Sequence, residues 1–204
     1  GLFTAVVFVV SLAYRDRFAF SERPIVVGVW FALYAALPLN AFVHLHRWRR
    51  APGADGVLMS DSWRGWLRTL GTALGAYGVV LLLAPTWASG FWPWPIDEFH
   101  GRLYAATFLA GGLGLWLVAR LASPIETVTV ALMQTVLGAT AIGGLAWNDA
   151  DTGRVDWSHV GTWIWLSVFA AGAVTGLALL AEVHKATRPL RWSRRLGEAL
   201  GAAG

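Results

Sequence analysis

An all-α, polytopic transmembrane bundle of about six helices is the fold class that the sequence predicts. Hydrophobic residues make up 56% of the 204-residue chain and charged residues only 14%, against roughly 25% charged in soluble domains. The apolar residues fall in runs of about 20, the length that crosses the hydrocarbon core of a bilayer. Tryptophan and arginine gather at the ends of those runs, where amphipathic side chains favour the membrane–water interface.

The elements follow in order. "GLFTAVVFVVSLA" (1–13) is the first span. At ~1.5 Å per residue it reaches roughly 20 Å, short of the ~30 Å core. It is therefore expected to be truncated, with further chain before Gly1. It has no basic n-region and does not read as a signal peptide. The second span runs from Pro24 to His44, with a structural kink expected at Pro38, which removes one helical hydrogen bond. The third runs from Trp66 to Ala84, where Pro85 helps to end it, and the fourth from Leu103 to Leu121. A tight turn at Ser123-Pro124 puts Pro124 in the first turn of the fifth span, which ends near Trp147. The sixth runs from His159 to Val183. Residues 1–184 thus form the bundle, and 185–204 a basic tail expected as a short helix on the membrane surface.

Charge sets the expected orientation. The connections on one side, with the tail, hold Arg47, Arg49, Arg50, Arg64, Arg68, Arg120, Lys185, Arg188, Arg191, Arg194 and Arg195. The other side holds Arg15, Arg17, Arg23, Arg102 and Arg154. Eleven against five places the 45–65 loop and the tail in the cytoplasm of a bacterial inner-membrane protein. The tryptophans agree. Trp87, Trp92, Trp94, Trp147 and Trp157 fall at the outer boundary, and Trp48, Trp63, Trp66 and Trp192 at the inner one. Only Trp30, Trp165 and Trp116 fall where a pigment or quinone site needs aromatics, deep in the bundle. The net charge of +4 then points to anionic lipid headgroups, not nucleic acid.

A short similarity links "LAYRDRFAFSERP" (12–24) to "LAWNDADTGRVDWSHVG" (145–161). Each starts Leu-Ala-aromatic at the outer end of a span, passes an Asp and reaches aromatic-Ser before the next span. Copies four spans apart share an orientation, so this would be a parallel internal repeat.

Helices in lipid associate through close packing and hydrogen bonds, which small residues four apart allow. Gly71 with Gly75, Ala110 with Gly114, Ala139 with Gly143, Thr140 with Gly144, and Gly172 with Gly176 supply that spacing in spans three to six.

Chemistry is sparse. With no cysteine in the chain, disulfides, thiolate metal sites and cysteine nucleophiles are excluded. Ionisable groups deep in a span, which mark pumps and ion-coupled carriers, are nearly absent. Gln134 stands near the middle of span five, as packing glue or a ligand contact. Two polar clusters lie on the outer side: Asp97, Glu98, His100 and Arg102, and Asp149, Asp151, Asp156 and His159. Either could hold a divalent metal or do acid–base work. The simpler reading is that their acids sit at the positive N-termini of spans four and six. His44 is the histidine nearest the bilayer for a haem or chlorophyll, at the edge of span two. "FWPWP" (91–95) is expected to be extended, with Trp92 and Trp94 anchored among headgroups.

Residues 81–120, with "VDWSHVGTWIWL" (155–166), resemble a group of uncharacterised bacterial multi-span membrane proteins. These show a WPW element, an arginine at the head of the next helix, a Gly-rich span and a closing Ala-Arg. Here the elements are Trp92-Pro93-Trp94, Arg102, Gly111 to Gly114 and Ala119-Arg120, with Ala105 or Ala106 as the small residue after the arginine. The resemblance implies a membrane architecture and brings no activity with it.

Two functions are expected from these features. The first is a non-catalytic accessory or structural subunit of a larger membrane complex, of respiratory or photosynthetic type, with membrane lipids and other integral membrane proteins as partners. The second is a carrier or enzyme for a lipid or other apolar small molecule, with Pro38, Gln134, Trp30 and Trp165 lining its cavity. Candidate ligand or partner contacts are Gln134, Trp30, Trp165, Asp97, Glu98, His100 and Arg102. No catalytic residue, metal ligand or cofactor is assigned, though the bundle leaves room for a bound lipid or pigment.

Overall fold

Each long apolar run of the chain folds as a helix, since backbone groups in lipid have no other way to satisfy their hydrogen bonds locally. The computed structural model describes residues 1–48, 59–121 and 124–201, with side chains except at 44, 45, 47, 48, 121, 124, 125 and 186–201. Helix α1 is Leu2–Ala13, α2 Pro24–Trp48, α3 Asp61–Leu83, α4 Pro85–Ala88, α5 Glu98–Leu121, α6 Pro124–Thr152 and α7 Val160–Gly201. Short 3₁₀ turns cover Arg15–Arg17 and Ser89–Phe91. Among the described residues there is no strand. Helices α2, α3, α5, α6 and α7 are long and apolar enough to cross a membrane, and α1 is a shorter apolar helix. The chain is a multi-span helical membrane protein.

The helices overrun their apolar runs. Helix α3 starts five residues before Trp66, where Ser60 caps it by accepting from the Trp63 N–H at 3.4 Å. Helix α5 starts at Glu98 and not Leu103, and α6 ends at Thr152 beyond Trp147. Hydropathy reports where side chains leave the lipid, whereas capping and hydrogen bonding decide where the helix stops. Helix α6 does begin at Pro124, and α2 runs through Pro38. The tail is no separate element: α7 continues without a break to Gly201.

Four helices form the core, as the antiparallel pairs α3–α5 and α6–α7, joined through α5–α6 contacts; α1 leans on α5, and α2 packs chiefly on α1. Glycines set the two tight pairs. A Cβ on Gly112 would stand 2.6 Å from the Gly71 carbonyl oxygen and 2.7 Å from the Gly75 nitrogen. One on Gly138 would strike the Phe169 carbonyl, and one on Gly176 the Ala131 carbonyl. Gly71 and Gly176 therefore meet neighbouring backbone as expected, Gly172 meets the Gln134 amide, and a Cβ on Gly75 would meet nothing within 4 Å although its backbone lies against Gly112. The pairs expected in spans four and five make no such close backbone approach. A Cβ on Gly143 or Gly144 would meet nothing within 4 Å, and one on Gly114 only side chains at ordinary contact distance. Small residues crowd both segments, so a spacing of four fits several faces at once. The faces used are those of Gly112 and Gly138.

Two apolar clusters fill the core. One, around Leu67, Leu115, Ala131 and Leu179, sits toward the start of α3. The other, around Leu81, Phe108, Trp92, Trp165 and Phe169, sits toward its far end. The connections 14–23, 84–97 and 153–159 gather at that far end. The Asp156 N–H donates to the Pro93 carbonyl at 3.3 Å, and Arg17 lies 3.7 Å from Asp97. We refer to this as the Trp92 end.

Candidate functional site

The polar clusters at the Trp92 end are built from local helix chemistry. Asp97 immediately precedes α5 and accepts from the His100 backbone N–H at 2.9 Å and lies 2.7 Å from its Nδ1. The backbone hydrogen bond, chiefly, holds the Asp97 carboxyl below its ordinary value of 3.8. Arg102 donates from Nε to the Leu82 carbonyl at 3.1 Å and from Nη1 to Glu98 at 3.2 Å, and its guanidinium lies 5.4 Å from the centre of the Tyr14 ring. The structure brings Asp97, Glu98, His100 and Arg102 together, and adds Tyr14 and Arg17 from the α1–α2 connection. Each polar group has a neighbour that accounts for it, and the cluster ties α1, α3 and α5 to one another.

In the second cluster, Asp156 accepts from the Ser158 hydroxyl at 2.6 Å and N–H at 3.0 Å, which lowers its pKa. Asp149 accepts from Trp157 Nε1 at 2.7 Å. No group of three or more carboxylates and histidines able to hold a metal occurs among the described residues. The His44 side chain lies outside them.

Trp30 and Trp165 part company. Trp30 Nε1 donates to Ser11 Oγ at 3.0 Å, and its ring lies against Phe18 and Tyr34, between α1 and α2. It lines none of the cavities described here, and neither does Pro38. Trp116 is 41% exposed on the outside of the bundle. Trp165, 6% exposed, stands in the core, 4.3 Å from the ring centre of Phe169.

Trp92 joins it there. The 3₁₀ turn Ser89–Phe91 ends at Trp92, which is extended at φ −86°, ψ 143°. Its indole, 7% exposed, stacks on Tyr104 at 4.9 Å and meets Trp165 edge-on at 6.0 Å. Trp94 completes the cluster, 5.8 Å from Trp165. The headgroup anchor expected of Trp92 is thus corrected: Pro93, itself buried, turns the segment inward, and the ring gains aromatic neighbours.

Three cavities surround these rings. One of about 440 Å³ lies between the 92–94 segment, α5, α6 and α7, lined by Trp92, Trp94, Tyr104, Thr107, Asn148 and Trp165 among others. A second, of about 290 Å³, lies between α3 and α7, with Leu70, Leu74, Tyr77, Ile164 and Val168 in its walls. Phe108, Trp165 and Phe169 line both and form the partition between them. A slot of about 20 Å³ beneath holds Gln134, 4% exposed. Two glycines make room for its amide: a Cβ on Gly111 would lie 3.4 Å from Nε2 and one on Gly172 3.4 Å from Oε1. No carboxylate, histidine, lysine or arginine lines any of the three.

Three buried N–H groups around these cavities have no hydrogen-bond partner in the protein: Trp92 Nε1, Trp165 Nε1 and Gln134 Nε2. A buried donor without a partner costs ~1–3 kcal/mol. Other indoles in the bundle are served, Trp66 Nε1 by Thr175 Oγ1 at 3.0 Å and Trp163 Nε1 by the Trp157 carbonyl at 3.0 Å. Among the described residues the orphaned buried donors are therefore confined to side chains packed around these cavities.

No protein-family model matches this chain, and no curated protein or solved structure matches it either. The site rests on its geometry. Sequence reading singled out Gln134 and Trp165 by their depth in a span, and did not single out Trp92, Tyr104 or Phe108 as cavity-lining residues. The signal for Trp92 was the pair of prolines at 93 and 95, which equally well describes a segment bent inward.

Proposed function

We propose that this chain is a membrane-embedded binding protein, or carrier, for an apolar small molecule, held between α3, α5, α6 and α7. The observation that carries this reading is the pair of aromatic-lined cavities of about 290 and 440 Å³ that share Phe108, Trp165 and Phe169, with orphaned buried donors packed behind their walls. Clefts of this size can take a small apolar molecule, with a few polar groups fixing its orientation. Walls without an ionised group suit a neutral occupant, because a charge there would lack a counter-ion. Positive-inside charge supports an orientation in which the Trp92 end faces away from the cytoplasm.

The test is extraction of the full chain from its native membrane in mild detergent, followed by mass spectrometry of the intact complex. A retained apolar molecule, lost in Trp165→Ala, is the expected result. A chain that binds nothing and whose core is unmoved by Trp165→Ala would sink the reading. Gln134→Met adds a thermodynamic check. It removes the unpartnered amide at similar volume, so the ligand-free protein should gain about 1 kcal/mol in a denaturant titration while ligand retention falls. A loss of stability instead would mean that the amide is already satisfied.

A second reading, an accessory subunit of a larger assembly, draws on α2. Ile25, Val26, Val29, Leu39 and Phe42 are each more than 60% exposed along it. Lipid covers such a face as readily as protein does, so this reading is weaker. Copurification of stoichiometric partners from native membranes would support it.

A further inference from the structure

We infer that the cavity between α3 and α7 is a side window onto the bilayer, and that its occupant is the hydrocarbon chain of a membrane lipid, entering from the membrane and not from water. The inference rests on the binding reading above and deepens it, naming the source of the ligand and the part of it that is held.

The window has a frame. Helix α3 packs on α5 and α7 on α6, and the two pairs scarcely meet along the seam between α3 and α7. Toward the start of α3 the seam is closed by Trp66, which donates from Nε1 to Thr175 Oγ1 at 3.0 Å. Toward the Trp92 end it is roofed by the 3₁₀ turn Ser89–Phe91, which lies on the start of α7. A Cβ on Gly161 there would stand 2.9 Å from the Phe91 Cα. The Tyr77 hydroxyl donates to the Ala88 carbonyl at 3.2 Å and ties this roof to α3. Aromatic rings form the back wall, with Phe169 4.3 Å from Trp165 and 5.8 Å from Phe108 between ring centres. The fourth side is the mouth. Ala73 on α3 and Ile164 on α7 line the cavity and are both exposed.

Depth and chemistry select the occupant. The lining residues of α3 run from Leu70 to Tyr77, the middle of a helix that extends from Asp61 to Leu83. The mouth therefore opens at the depth of hydrocarbon and not among headgroups. Seven residues at ~1.5 Å make it roughly 10 Å tall. Its walls present carbon: Tyr77 directs its hydroxyl to Ala88, and the Trp165 N–H is buried out of reach. A polar head gains nothing there and stays with its own layer. A helix with its side chains is ~10 Å across, and it does not fit a framed cavity of about 290 Å³. A single flexible chain does, and it gains dispersion contact with the rings of Phe108, Trp165 and Phe169.

The experiment uses the full chain in lipid nanodiscs that contain a phosphatidylcholine with a photoreactive diazirine midway along one acyl chain. After irradiation, the labelled residues are mapped by peptide mass spectrometry. The inference expects adducts on the buried rings of Trp165 and Phe169 in yields comparable to those on Val174 and Leu177, which are exposed on the outside of α7. Ala73→Phe sets a ring in the mouth. It should cut the labelling of Trp165 and Phe169 at least about fivefold, because a filled mouth leaves no free volume for a chain, and leave that of Val174 and Leu177 unchanged. Ile164→Trp repeats the block from the α7 side, so a folding defect in one variant does not decide the result. A short diazirine alcohol is the competing probe. If it labels Trp165 and Phe169 while the lipid labels only exposed residues, the cavity takes small molecules and not lipid chains, and the inference is overturned while the binding reading stands. If neither probe reaches Trp165 or Phe169, both fall.

Discussion

The α6–α7 and α1–α2 hairpins are both pairs of apolar helices joined at the Trp92 end, and they are held together by different means. Between α6 and α7 the contact is backbone on backbone: Gly138 meets Phe169 and Ala173, and Gly176 meets Ala131 and Thr135. Between α1 and α2 the contact is made by side chains, with Phe8 and Phe18 on Phe31 and the indole of Trp30 on Ser11. The first hairpin builds one wall of the cavity site. The second stands outside it, with α2 nearly all exposed to what would be lipid. Close backbone contact gives a wall that does not shift, which the proposed binding site needs. Aromatic contact leaves an attachment that can be adjusted.

Glycine substitutions should break this comparison most sharply. Gly112→Ala places a methyl against backbone atoms of Gly71 and Gly75, and Gly138→Ala places one against Phe169 and Ala173. No flexible side chain can yield in either case. Each should cost about 1–3 kcal/mol or more, read as a lowered midpoint in a denaturant titration in detergent. Gly28→Ala is the control in α2, where a Cβ meets nothing within 4 Å. It should leave stability unchanged or raise it by up to about 1 kcal/mol, because the new residue favours a helix and meets no neighbour. Equal losses at Gly28 and Gly138 would erase the distinction between the hairpins.

That distinction was only half legible in the sequence. Runs of about 20 apolar residues located the spans, because the thickness of a bilayer imposes that length whatever the partners. The rotation of each helix was less visible. In α6, Gly138, Ala139, Thr140, Gly143 and Gly144 offer several small faces, and only the three-dimensional neighbours select the one containing Gly138. The same limit hid half of the proposed site. Gln134 and Trp165 stood out because a polar amide and an indole within a span are conspicuous there. Trp92 lies in a connection, where interfacial tryptophan is ordinary, and its inward course depends on contacts with Tyr104 and Trp165 that span 12 and 73 residues of chain. Trp30 misled for the opposite reason: it is deep in a span, and Ser11 on the neighbouring helix already takes its N–H.

Interhelical hydrogen bonds give the next, smaller contrast. Thr175 accepts from Trp66 between α7 and α3, within the core; Ser11 accepts from Trp30 between α1 and α2. Both hydroxyl-bearing residues are buried. Such bonds are worth ~0.6 kcal/mol on average in a membrane protein and up to about 1.7. Thr175→Val should lower the global unfolding free energy by an amount in that range. Ser11→Ala should leave the unfolding of α3, α5, α6 and α7 unchanged and speed hydrogen exchange in α2 alone. Exchange that rises throughout the bundle in Ser11→Ala would show the two hairpins to be one cooperative unit.

The smallest effect, and the most selective, should come from acid. Arg17, in the α1–α2 connection, pairs with Asp97 at the start of α5, beside Glu98, His100, Arg102 and Tyr14. The folded Asp97 carboxyl titrates below its ordinary value of 3.8. The folded state therefore favours the ionised form, and the stabilisation is complete above the ordinary carboxylate range. It is lost as pH falls from about 4 through the lower folded value. Because Asp97 is exposed, the gain is screened by solvent and modest. Between pH 6 and 3, hydrogen exchange in residues 2–13 should quicken relative to that in 160–183, as the cap on α5 and the tie to Arg17 weaken together. Asp156 also titrates low, but its partners are Ser158 and His159 in its own turn, so acid there should loosen only the first turn of α7. In Asp97→Asn the exchange of 2–13 should already be fast at pH 6 and change little on acidification. A variant that keeps the wild-type acid response would place the tie between hairpin and core elsewhere than at Asp97.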